Sequence, residues 1–165
     1  MSTLAVYDCM LFFQAASRPS RVHGTFRAIL DGRVTLCMSA ELLSEIRDVL
    51  TRPEHRMKFP ALTPRLVDAF LSQYLPGVRW VADVPVVFDV PRDPKDNPYV
   101  NLAVAAGAKY LVTWNHRHLG YLMEQDTPEG RDFCQRFPSL RIVDPPTFLG
   151  EIEPPSLSDP KPGKP

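Results

Sequence analysis

The chain has 165 residues, a length that holds one domain around one buried core. Its 19 Lys and Arg balance 19 Asp and Glu, so no global positive field draws it to nucleic acid and any such contact needs a local patch. A 44% hydrophobic and 23% charged composition excludes a disordered or fibrous chain, and no apolar run approaches the ~20 residues that cross a bilayer.

The first residues lack a basic segment followed by an apolar one, so a cytoplasmic protein with no membrane anchor is expected. Cys9, Cys37 and Cys134 are scattered without C-x-x-C spacing; they predict neither a disulfide framework nor a thiolate zinc site, and read as small buried hydrophobes. Of the 18 prolines, Pro154, Pro155, Pro160, Pro162 and Pro165 crowd the end of the chain, and residues 153–165 read as a disordered tail after a single domain over 1–152.

In chain order, Thr3 to Tyr7 is a short apolar run that predicts a buried strand delivering Asp8 at its C-terminal end. Val22, Phe26, Ile29 and Leu30 recur at helical spacing up to Asp31-Gly32. Arg33 to Met38 predicts a second strand. Ser39 is an N-cap for a helix whose apolar stripe is Leu42, Leu43, Ile46, Val49 and Leu50, with Pro53 as its stop. Thr63-Pro64 opens another helix on Val67, Phe70, Leu71 and Tyr74, which Pro76-Gly77 closes. A short strand over 78–81 and an extended stretch from Pro85 to Pro91 follow. Tyr99 to Ala106 is helical, with Gly107 as a left-handed cap, and Tyr110 to Thr113 is a continuous β-prone run suited to a central strand. Thr127-Pro128 starts a helix carrying Phe133 and Phe137, Leu140 to Val143 is the last strand, and Asp144-Pro145 opens a terminal helix with Phe148 and Leu149. Strands alternating with helices predict an α/β fold of three layers, a mainly parallel central sheet flanked by helices, with its site outside the carboxyl ends of the strands.

At that edge the sequence gathers oxygen-bearing side chains. Asp8 follows the first strand, Asp93 and Asp96 precede the helix before the central strand, and Asn115 follows that strand. Glu45 sits on a turn of the second predicted helix that can face the same edge. Carboxylates crowded in a cleft stay ionised when a cation sits among them, and oxygen donors suit Mg²⁺ or Mn²⁺. Such an ion activates a water and neutralises phosphodiester charge. Asp93 and Asp96 also have an ordinary alternative as helix N-caps.

These segments together resemble the PIN-domain family, most closely the branch grouped with toxins of toxin–antitoxin pairs. The resemblance is carried by Asp8, by Ser39 to Glu45 running into Val49-Leu50, by Arg92-Asp93-Pro94-Lys95-Asp96-Asn97, by Ala105 to Ala108, by Tyr110 to Asn115 and by Ile142 to Leu149. It spans roughly residues 3–150 and implies a metal-dependent ribonuclease with Asp8, Glu45 and Asp96 as catalytic acids. The family's fourth acidic position falls on Asn115, which offers a neutral oxygen, and Asp93 stands as a compensating ligand. Family behaviour further implies an RNA substrate, a cognate antitoxin and a homodimer.

Arg47, Arg52, His55, Arg56, Lys58 and Arg65 concentrate positive charge at the end of the second predicted helix and in the loop that follows. They are the candidate phosphate-backbone surface, with a solvated face or an antitoxin-docking surface as alternatives. Trp114, Arg117 and His118 beside Asn115 pair a stacking ring with hydrogen-bond donors suited to single-stranded RNA. The expected function is therefore a Mg²⁺- or Mn²⁺-dependent endoribonuclease. The alternative is a PIN-like binding module whose metal site lost charge at Asn115. No phosphate-binding glycine loop, nucleophile elbow or zincin motif is present, and Asp8-Cys9-Met10 lacks the paired acids of dehalogenases.

Overall fold

Among the described residues five strands form one parallel sheet in the order β3-β2-β1-β4-β5. They are β1 (Thr3–Tyr7), β2 (Val34–Met38), β3 (Arg79–Trp80), β4 (Tyr110–Val112) and β5 (Arg141–Val143) in a computed structural model that describes residues 1–153. The expected tail falls on residues 154–165, outside the described ones, except Glu153, which caps the end of the last helix. Parallel strands need crossovers, and the helices supply them: α1 (Cys9–Ser17), α2 (Gly24–Leu30), α3 (Ala40–Thr51), α4 (Pro53–Lys58), α5 (Pro64–Ser72), α6 (Asn97–Ala106), α7 (Pro128–Arg136) and α8 (Pro145–Ile152). This is the expected α/β architecture.

The two faces of the sheet follow from strand alternation. Pairing of Ala5 with Tyr110 puts Ala5, Tyr7 and Tyr110 on one face, where Tyr7 meets Phe26 of α2 and Phe148 of α8 edge-on, with ring centroids 5.7 and 5.8 Å apart. Across the other face α6 spans β2, β1 and β4 and packs against α3. Leu42, Ile46 and Leu50 of α3 are fully buried, so the predicted apolar stripe is the core-facing one. Gly107 ends α6 at φ +63°, the left-handed region expected of it. The irregular chain from Val87 to Val90 is tied down by α6. Asn101, itself buried, accepts from the Val87 and Phe88 N–H groups and donates to the Phe88 carbonyl, while Asn97 accepts from Val90 N at 2.7 Å.

Three expectations are corrected and one helix is added. The added helix is α1, directly after Asp8. Asp8 accepts from Met10 N and so caps it, and Leu11, Phe12, Ala15 and Ala16 are its buried stripe. Val22 lies before α2 and is 88% exposed, and Leu30 is exposed at the helix end, so neither belongs to the core. Pro53 does not merely stop a helix; it occupies the first turn of α4, where its missing N–H costs nothing. Cys37 is buried as expected, whereas Cys9 and Cys134 are half-buried.

Candidate metal-dependent active site

The sheet register decides who meets at the carboxyl edge. Tyr7 pairs with Val112, so the next residues along, Asp8 and Thr113, stand side by side at the ends of β1 and β4. Thr113 Oγ1 donates to Asp8 Oδ2 at 2.5 Å, and Met10 N donates to Oδ1 at 2.6 Å. The two bonds hold the carboxylate in one orientation and stabilise its charge, against a burial that pushes its pKa up. In turn Thr113 Oγ1 accepts from Asn115 N at 2.9 Å, so Asp8, Thr113 and the β4 end form one chain of hydrogen bonds.

Asp93 and Asp96 flank a 3-10 turn, Pro94–Asp96, whose tight winding puts residues three apart on one side. Asp93 carries the capping role, accepting from Lys95 N at 3.1 Å. The Asp96 side chain makes no capping hydrogen bond, although it precedes α6. Its carboxylate accepts from Asn115 Nδ2 at 3.1 Å instead. His118 completes the group, with Nδ1 3.5 Å from Asp93 Oδ2.

Glu45 projects from α3 toward the same edge and is half-buried. Burial raises its pKa, the neighbouring Tyr99 hydroxyl lowers it, and Asp8 raises it again; Arg52 is near enough to oppose that rise. Asp96 is pushed up to about 6 by burial first, then by Asp93 and Asp8, with His118 opposing and Glu45 adding to the rise. The predicted acids Asp8, Glu45 and Asp96, with Asp93, therefore share one field, drawn from three separated stretches of sequence.

Two placements differ from the sequence reading. The Asn115 amide oxygen accepts from His118 N at 3.1 Å, and its Nδ2 faces Asp96. A backbone N–H needs an acceptor and a carboxylate needs a donor, so both neighbours fix the same amide orientation. Asn115 stands as a donor to the cluster and not as an oxygen ligand. His118, expected at the RNA surface, joins Asp93 and Asp96. Among the described residues these three bring one ligand atom each to within 4.8 Å of one another. A small divalent ion has ligands on opposite sides only about 4 Å apart, so a modest closure suffices there.

Three residues of the site were not singled out in sequence. Thr113 is the hydrogen-bond partner that a buried Asp8 requires, and a threonine ending the strand beside it was the available signal. Cys9 lies beside Asp8 and Glu45, and burial pushes its thiol up to about 11, so without a metal it is protonated. Tyr99, on the first turn of α6, is 3% exposed, and its hydroxyl next to Cys9 and Glu45 makes no well-formed hydrogen bond among the described residues. A buried hydroxyl without a partner is costly unless water or a ligand completes it. An unsatisfied hydroxyl among mutually repelling carboxylates, with one imidazole, fits a hydrated divalent cation.

The PIN domain family profile matches residues 3–117, which takes in Asp8, Glu45, Asp93, Asp96 and Asn115. The chain belongs to the PIN domain family. No curated protein and no solved structure matches it significantly. PIN domains are generally nucleases, so membership points to phosphodiester hydrolysis, and the family's usual divalent metal agrees with the donor set at this edge. The profile ends at Arg117, one residue before His118, so His118 enters the site on geometry alone. No helix among the described residues is long and apolar enough to cross a membrane.

The basic residues surround the site unevenly. Arg47 faces Asp68 at 3.6 Å and Arg52 pairs with Asp48 at 3.0 Å, both on exposed surface. Arg56 and Lys58 are exposed on α4 and enter no ion pair among the described residues. Phe13 of α1 stacks on His55 at 4.4 Å, which fixes α4 against the helix that Asp8 caps. Arg117 is exposed, and its carbonyl accepts from Arg92 Nη1 at 2.8 Å. Trp114 is 49% exposed, so it is not a core residue.

Proposed function

We propose that this PIN domain is a Mg²⁺- or Mn²⁺-dependent endoribonuclease acting on single-stranded RNA, with Asp8, Glu45 and Asp96 as its catalytic acids. The carrying observation is Asp96: a carboxylate at a helix start that caps nothing, whose pKa is pushed up to about 6 by burial first and then by Asp93 and Asp8. A bound divalent cation supplies a water of lowered pKa and offsets phosphate charge. Thr113 and Met10 N hold Asp8 in one orientation, Asp93 and His118 lie ready beside Asp96, and Arg52 places a cation near Glu45 for the incoming phosphodiester. The His118 imidazole favours Mn²⁺ over Mg²⁺, because Mg²⁺ takes oxygen donors almost alone.

A role as the toxin of a toxin–antitoxin pair in the cytoplasm, with a cognate antitoxin partner and a homodimeric state, extends this reading and is supported by the residue pattern only. The second reading, a binding module without hydrolysis, is favoured by Asn115, whose amide hydrogen occupies Asp96 where the family places another acid. Incubation of an unstructured RNA with Mn²⁺ and with EDTA separates the two. Internal cleavage that EDTA abolishes is expected; identical products in both conditions overturn the nuclease reading.

Arg56 and Lys58 are assigned to the RNA backbone, together with Arg47 and Arg52. Replacing Arg56 and Lys58 with alanine should lower the slope of log binding constant against log salt by about 1.4, since each single-strand phosphate contact contributes roughly 0.7. Filter binding across salt concentrations measures it. An unchanged slope would assign this surface to something other than RNA.

A further inference from the structure

Beside the acid cluster lies a cleft of about 370 Å³ that the hydrolytic chemistry leaves unused. Thr113 forms part of its wall and, through its hydroxyl, also holds Asp8, so one side chain separates the cleft from the catalytic edge. Its other walls include Trp114, His116, Gly120, Glu124 and Asp144.

The charges there have the wrong sign for a phosphate. Among the described residues no Lys or Arg lines the cleft, while Glu124 and Asp144 do. Hydrogen bonds from Thr147 hold Asp144 below the usual carboxylate range, so it is ionised and accepts only. An RNA backbone is repelled; the N–H edge of a base is attracted.

The walls are also fixed in place. Trp114 Nε1 donates to Gln14 Oε1 at 3.0 Å, which holds the indole while half of its surface stays open. His116 Nε2 lies 3.1 Å from Glu124 Oε1. A Cβ at Gly120 would stand 2.6 Å from His116 Nδ1, so a glycine there lets the imidazole lie where it meets Glu124.

We propose that this cleft is a nucleobase subsite for guanine next to the scissile phosphodiester. The base stacks on Trp114, and a carboxylate accepts from its N1–H and N2–H together. Guanine alone among the four bases presents two such donors side by side, while uracil presents one donor flanked by acceptors that carboxylates repel. The position beside the scissile bond rests on the ribonuclease reading; the base recognition does not.

The test is nucleoside binding to the metal-free full chain carrying Trp80→Phe, read by Trp114 fluorescence. Guanosine is expected to quench at concentrations at least tenfold below those needed for uridine or cytidine. Glu124→Gln and Asp144→Asn together should erase that preference, and asparagine still caps α8, so the fold is kept. Equal responses to the four nucleosides, or no quenching, overturn the subsite. Sequencing the ends from a random RNA pool gives the second arm. Guanine enriched beside the cut supports the proposal, and unbiased cutting without quenching removes the subsite while the nuclease reading stands. Guanosine-selective quenching without any cleavage supports the subsite and overturns the nuclease reading.

Discussion

Asp96→Asn is expected to lower Mn²⁺-dependent RNA cleavage by at least ~100-fold, the scale on which a ligating or charge-stabilising group is lost. The substitution changes charge and little else. Asparagine keeps an oxygen to accept from Asn115 Nδ2, and the α6 N-terminus loses no cap because Asp96 supplies none. The metal-free variant should therefore melt no lower than the wild type near neutral pH. The sign follows from the raised pKa. The folded carboxyl titrates near 6 against an ordinary 3.8, so the folded state binds the proton more tightly than the unfolded one. That contribution is fully present below the ordinary value and disappears as pH rises through about 6. Melting of the metal-free wild type across this window should show the decline, and the variant should show less of it. Wild-type cleavage by Asp96→Asn would remove Asp96 from the chemistry, whatever the melting curves say.

Much of the fold can be read from local signals. The β1 and β4 runs are apolar without alternation because both faces of the sheet are covered, and that continuity is visible in Thr3 to Tyr7 and in Tyr110 to Thr113. Ser39, Thr63, Thr127 and Asp144 each accept from a backbone N–H at a helix start, as their places ahead of apolar stripes suggest. Helix α1 is hidden by a dual role: Asp8 reads as a site carboxylate, and the same side chain is the N-cap of the next helix. Pro53 is ambiguous for a similar reason, since proline both ends one helix and begins another.

The site is less legible because its geometry belongs to pairs far apart in sequence. That Asp8 needs a partner follows from its place after a buried strand; that the partner is Thr113, 105 residues on, follows only from the register of β1 with β4. The role of Asn115 turns on its amide orientation, which His118 N and Asp96 set from opposite sides. Whether Asp93 or Asp96 serves as a cap is equally silent in sequence. The 3-10 turn assigns the cap to Asp93 and leaves Asp96 to the cluster.

Tyr99→Phe should lower kcat by about tenfold, the effect of one hydrogen bond to a group that gains charge in the transition state. The ring stays, because it fills core beneath α6 and is 3% exposed. Only the hydroxyl goes, and it has no well-formed protein partner to lose. Burial first, then the nearby thiol and carboxyls, push its pKa up, so it is protonated throughout the working range and is a donor for an oxygen bound near Glu45 and Asp8. If that oxygen belongs to the phosphodiester or to water, the loss appears in kcat with KM unchanged. Stability should move the opposite way. Removing a buried, unsatisfied hydroxyl relieves a desolvation cost, so the metal-free variant should gain on the order of 1 kcal/mol. A hydroxyl that merely packs would give the stability gain with full activity, and one that braces Glu45 structurally would give losses in both. Steady-state kinetics on one RNA, set beside urea melts of the same two proteins, separates the three outcomes. Slower turnover in a more stable protein is what a hydroxyl reserved for the substrate predicts.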